Sequence, residues 1–266
     1  PSTMVDRITP VTTPADIASL AERHGIADRA PVVCEPFRQW VIEDDFADGR
    51  PDWDAVGAQF VADVAPYELM KLRLLNASHL ALAGLGRLIG YAFIDEAMAD
   101  PRLRGFMQAL MDRETGPTLR PVPGVDLTAY KATLIERFAN PAIKDTVERV
   151  NTDAPLSYLL DPIRDRLQAR ANVELLSLAL AAWMRRVRGV DEGGALIDVR
   201  HPLAAELRER AIAGGPDPGP LLGLTALFGD LSESRVLLET TGRWLASLYE
   251  VGAAETLRRA QVELSY

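Results

Sequence analysis

Cysteine is almost missing. Cys34 stands alone in 266 residues, so the chain can build neither a disulfide framework nor a cysteine-based metal site. Histidine is nearly as scarce: His24, His79 and His201 are widely scattered and form no H-x-x-x-H pair, so no metal site is expected. An excess of positive charge is lacking too. The net charge is −9 and no basic cluster interleaves with aromatics, which argues against broad nucleic-acid binding. No signal-peptide pattern opens the sequence, and its longest apolar stretch is interrupted by Glu68, Lys71, Arg73, Asn76, His79 and Arg87. A membrane span is therefore not expected, and a cytoplasmic location is the default expectation. A dinucleotide fingerprint is also absent: Gly84-x-Gly86-x-x-x-Gly90 is one residue too long and lies inside a helical pattern rather than after a strand. No fixed-period repeat is present.

What the chain does have is the stretch Pro66–Tyr91. Proline suits the first position of a helix, and the residues after it are mostly Leu, Ala, Met and Ile, with no further proline. They are apolar on nearly every face, which predicts a buried central helix. At about 100° per residue, Glu68, Lys71, Asn76 and His79 share an arc of roughly 140°. A lysine taken into a low-dielectric interior gives up its proton more readily, so its neutral amine can accept one. Asn and His are neutral donors able to hold an oxygen that gains negative charge. Helical side chains lean toward the N-terminus, so Asn76 and His79 tilt back toward Lys71. The plain alternative is a structural Lys71 paired with Glu68 at i, i+3 and a satisfied core His79.

The K-x-x-x-x-N-x-x-H spacing from Lys71 to His79 resembles the signature of the polyol-specific long-chain dehydrogenases, the mannitol 2-dehydrogenase family. Three more stretches carry the same resemblance: MVDRITP at Met4–Pro10, EPFRQWVIED at Glu35–Asp44 and LTAYKATLIERFANPAI at Leu127–Ile143. The resemblance implies that Lys71 is the general base, that Asn76 polarises the reacting oxygen and that His79 bonds the substrate. It further implies that Glu68 gates a water path for the proton, that Val5 and Asp6 lie near the nicotinamide, and that Arg149 binds substrate hydroxyls. Beyond Arg149 the family usually shows D-G-S-S-[KR]. Here the chain reads Asp153-Ala154-Pro155-Leu156-Ser157, about two residues shorter, so that basic contact is absent or moved.

Family members carry a coenzyme domain ahead of the MVDRITP segment. The expectation is therefore a crossover segment over residues 1–10 from an N-terminal Rossmann domain, followed by a helical substrate domain over residues 11–266. The expected fold class is mainly α, a helical C-terminal substrate domain around a long buried central helix with minor β strands. Helices are expected at Thr13–Arg23, Asp54–Val64, Ala92–Asp100, Arg102–Glu114, Leu127–Phe138, Lys144–Val150, Leu156–Ala169 and Val173–Arg188. Four more follow, at Leu203–Ala213, Leu221–Phe228, Ser232–Leu248 and Ala253–Glu263. A strand is expected at Cys34–Ile42, with an edge or an irregular start at Pro36. Val173–Arg188 reads as amphipathic, with Arg185–Arg188 as a solvated basic end. The expected activity is NAD- or NADP-dependent interconversion of a sugar alcohol and a ketose. A hexuronate reductase of the same family is the alternative. A non-catalytic helical interaction module is the alternative of another class, and it would spread Lys71, Asn76 and His79 over unrelated contacts.

Overall fold

The computed structural model describes all 266 residues. A small sheet comes first. Strand β1 (Thr3–Asp6) pairs antiparallel with β2 (Gln39–Glu43), placing Met4 opposite Val41, and β2 pairs in parallel with β3 (Gln59–Val61). Between β1 and β2 lies α1 (Pro14–His24), started by a reciprocal Thr13–Asp16 capping box and stopped by Gly25 at φ 66°.

The central helix runs through α2 (Ala65–Met70), a wide π-helical turn (Lys71–Asn76) and α3 (Ala77–Ile89). Around it stand α4 (Ile94–Ala99), α5 (Pro101–Leu110), α6 (Leu127–Phe138), α7 (Val147–Asp153), α8 (Ser157–Gln168) and α9 (Glu174–Arg186). Then come α10 (Ala204–Gly214), the short α11 (Gly219–Leu222) and α12 (Thr225–Phe228), and α13 (Arg235–Leu264), broken at Gly252. Helix α3 packs on α7 and α9, and α9 packs on α13. The approach is close because α3 is rich in small residues: a Cβ on Gly86 would lie 3.6 Å from Val147 of α7, and one on Gly84 3.9 Å from Ala182 of α9. From Ala77 to Gly86 every residue is buried. At roughly 1.5–3 kcal/mol per buried leucine, Leu80, Leu82, Leu85 and Leu88 make this helix the spine of the core. No helix is long and apolar enough to cross a membrane.

The mainly helical class is what the chain adopts, but several local expectations are corrected. The strand expected at Cys34–Ile42 begins only at Gln39. Pro36 lacks a ladder N–H, and the Glu35 side chain is turned to Arg137 instead. Asp54–Val64 is not a helix: a short 3-10 turn (Trp53–Val56) ends at Gly57, φ 99°, and the chain extends into β3. Lys144 has φ 53°, and the helix begins after the Thr146 cap. Leu221–Phe228 is split into α11 and α12. Helix α9 is buried all round, and its Arg185 and Arg186 are not a solvated end but 7% and 2% exposed.

Candidate active site

The first half of the site comes from the segment after β1. Asp6 is fully buried and accepts two hydrogen bonds from Arg137, 2.7 and 3.1 Å long, together with one from the Tyr130 hydroxyl. Arg137 donates equally to Glu35, at 2.6 Å, and stacks over Phe37. Glu35 in turn accepts the Ile8 N–H at 2.6 Å. This cluster nails Arg7–Thr9 in place as one wall of a cleft of about 280 Å³.

The opposite wall is the central helix. Lys71, Asn76 and His79 all line the cleft, with Arg149, Asp153 and Tyr158 closing it. In a regular α-helix, residues five apart are about 140° out of line. The wide turn changes this. Its i→i+5 pattern, seen in the Ala77 N–H bonded to the Leu72 carbonyl, turns less per residue and so narrows the offset of an i, i+5 pair. Lys71 and Asn76 are such a pair, so the turn brings the lysine and the asparagine toward one side of the helix, and both line the cleft. Nothing in the sequence announced it.

Lys71 is half-buried and is engaged in no ion pair or hydrogen bond; Glu68 is exposed and lies outside the cleft. The i, i+3 pairing that would make Lys71 structural is therefore not formed. His79 is 6% exposed and stacks on Phe138, ring centroids 4.8 Å apart. Burial pushes its imidazole down to about 4, with Asp145 opposing and Arg149 and Arg137 reinforcing the shift. His79 is thus a neutral ring near pH 7. Its Nε2 stands 3.5 Å from Asp145 Oδ2, too long for a hydrogen bond, and is otherwise unpaired.

Asp145 is the residue that sequence reasoning undervalued. It is 4% exposed and faces both His79 and Arg149. Arg149 donates two hydrogen bonds to it, and these hold the guanidinium well above its ordinary range; Asp153 lies 3.5 Å away on the other side. The available signal was the i, i+4 spacing of Asp145 and Arg149, which reads equally well as a surface pair.

The family model described as the mannitol dehydrogenase C-terminal domain matches residues 63–248. The chain belongs to the mannitol dehydrogenase family. A second model, the mannitol dehydrogenase Rossmann domain, matches residues 1–55. The D-mannonate oxidoreductase of Escherichia coli (strain K12) is 47% identical over 86% of this chain and 48% of that protein. Mannitol 2-dehydrogenase from an Aspergillus fumigatus strain is 44% identical over 91% of this chain and 50% of its own length. Among solved structures, Pseudomonas fluorescens mannitol 2-dehydrogenase, in a ternary complex with NAD and D-mannitol, superposes with a TM-score of 0.90 at 42% identity. That match covers 98% of this chain and 54% of the other. The chain spans about half the length of the curated relatives it matches.

Within this mannitol dehydrogenase domain, the remaining expected residues fall in different places. Val5 is 51% exposed on β1, with its side chain open to a ligand. The Asp6 carboxylate next to it is spent on Arg137 and Tyr130, and the whole residue is buried in the ladder opposite Gln39. Lys71, Asn76, His79 and Arg149 line one cleft rather than the unrelated contacts expected of a mere interaction module.

Proposed function

We propose that this chain is the substrate-binding and proton-transfer domain of an NAD(P)-dependent polyol dehydrogenase that interconverts a sugar alcohol and a ketose. The observation that carries the reading is a lysine in no ion pair that shares one cleft with an asparagine from the same wide helical turn, the cleft being roomy enough for a small polyol. Oxidation of a secondary alcohol needs a proton acceptor and a holder for the resulting oxygen. Lys71 takes the hydroxyl proton. Asn76, whose amide is committed to nothing else, donates to the oxygen as its negative charge grows. Neutral His79 orients the substrate, and Arg149, fixed by Asp145, bonds a hydroxyl further along it. Exposed Glu68 connects Lys71 with bulk water. With the proton on Lys71 and the oxygen on Asn76, this scheme requires no metal.

NAD or NADP, when bound, accepts the hydride. From this chain, exposed Val5 would face it, on the strand that buried Asp6 anchors, and a Rossmann domain of the same protein would hold the rest. The isolated 266 residues are accordingly expected to oxidise no polyol. A second reading, hexuronate reduction, is favoured by the 47% identity to D-mannonate oxidoreductase; Arg7 and Arg149 are the cations the cleft could turn to a carboxylate. A screen of polyols, ketoses and hexuronates with both coenzymes, on the chain joined to its coenzyme domain, tests both readings. Turnover of none of them overturns the assignment.

A further inference from the structure

On the far side of the Asp153–Ala154 turn lies a second pocket, of about 380 Å³, which shares those two residues with the cleft. Three arginines (Arg164, Arg186 and Arg200) and His201 line it, against one carboxylate, Asp153, which faces Arg149. Arg164 is neutralised by Asp161 and Asp230, and Arg200 reaches Asp198 at the surface. Arg186 is different. It is 2% exposed, yet Nη2 donates to the Asn151 carbonyl while Nε and Nη1 have no hydrogen-bond partner. The nearest carboxylate, Glu148, is 3.9 Å away and is shared with Arg87. A guanidinium so desolvated and so poorly paired is costly unless something else compensates it.

Two further features converge on the same space. Helix α8 begins here without a side-chain cap, and Ser157 and Leu160 of its first turn line the pocket. The positive end of its dipole is thus offered to whatever the pocket holds. His201 Nδ1 accepts the Leu203 N–H at 3.0 Å, so in the neutral ring Nε2 carries the proton and is a donor. The buried cation, the uncapped helix start and the imidazole donor are all complementary to one kind of group.

We propose that this pocket binds a small oxyanion, the phosphate or carboxylate group of a soluble metabolite. The site is built on α7, α8, α9 and residues 199–202 and does not depend on how the neighbouring cleft is read. Arg186 supplies the buried charge. Arg200 and His201 close over the anion from the surface, Ser157 adds a hydroxyl, and the α8 start adds its dipole.

The test is calorimetric titration of the 266-residue protein with inorganic phosphate and, separately, with acetate, each against chloride at matched ionic strength, alongside thermal unfolding. One saturable phosphate site that raises Tm is expected. Acetate competition would extend the site to carboxylates, and phosphate binding without it would confine the site to phosphate. Arg186→Met should weaken binding by about tenfold, as should the double change Arg200→Ala with His201→Gln, the usual effect of losing a charge-assisted hydrogen bond. If Arg186→Met fails to fold, the surface double variant decides. Lys71→Ala should bind phosphate as the parent does. The proposal is overturned if neither anion binds saturably, if the double variant keeps full affinity, or if Lys71→Ala abolishes binding and so places the anion in the neighbouring cleft.

Discussion

Arg137 and Lys71 are both held on helices beside Ile8, but their charges are treated in opposite ways. Arg137 is gripped by Asp6 and Glu35 with paired hydrogen bonds, all three side chains being under a tenth exposed. Lys71 is in no ion pair, and further along the same helix His79 Nε2 is left unpaired. A buried ion pair with every lone pair answered fixes geometry and does little else. Polar groups left open along a cleft retain interactions to give to a ligand. The difference between the regions is thus one of commitment: the Asp6 cluster sets the wall, and the Lys71 stripe faces what enters.

The comparison breaks most sharply at Lys71. In the assembled enzyme, Lys71→Ala should slow polyol oxidation by about 10³-fold, within the usual range for a general base, with circular dichroism unchanged. Small external amines should restore part of the rate. Oxidation within about threefold of the parent would make the stripe a packing feature. Arg137→Met should do the converse. It strands two buried carboxylates, at a cost of about 3–5 kcal/mol, readable by urea unfolding of the isolated chain; a loss under about 1 kcal/mol would mean the cluster does not anchor the wall. Asn76→Ala should lower kcat about 10²-fold in both reaction directions while moving the unfolding midpoint little. A large stability loss with intact kcat would transfer Asn76 to the structural side.

The smallest effect concerns a third buried charge, intermediate between the two. Glu114 is 2% exposed and accepts the N–H groups of Leu175 and Leu176 at the start of α9. Burial pushes its carboxyl up to about 7 from an ordinary 4.5, against the pull of those N–H groups and of Arg166. Between these values the folded state holds a proton that the unfolded chain has released. Its contribution is therefore complete below 4.5 and is lost as pH rises through 7. Unfolding free energy should fall by on the order of 1–3 kcal/mol over that window, and Glu114→Gln should flatten the slope. An unchanged slope in the variant would assign it to other groups.

Much of the helical framework was legible because it is locally encoded. Thr13 with Asp16 and then Gly25 frames α1, and Asp126 caps α6 by accepting from Thr128 and Ala129. What escaped was decided at long range. Strand β3 exists because Phe60 and Val61 find β2, not because of their own neighbours. Asp6 meets Arg137 across 131 residues, and only that meeting turns an expected cofactor neighbour into a buried anchor. Arg186 reads as solvated until Asn151 and the helices around it are in place. The stripe Lys71, Asn76, His79 could be seen as a pattern, but its alignment could not, since a wide turn leaves no mark in composition.

That turn also has a thermodynamic sign. A helix is tightest when every amide reaches back four residues, and Lys71–Asn76 gives this up for a looser bore in the middle of the central helix. Removing one residue between Leu72 and Leu75 would let the ladder close and would leave Asn76 four residues from Lys71, about 40° out of line in a regular helix. The helix by itself would be sturdier with one residue fewer. The surplus residue is a defect kept in the spine, and it sits where the helix lines the cleft with Lys71 and Asn76.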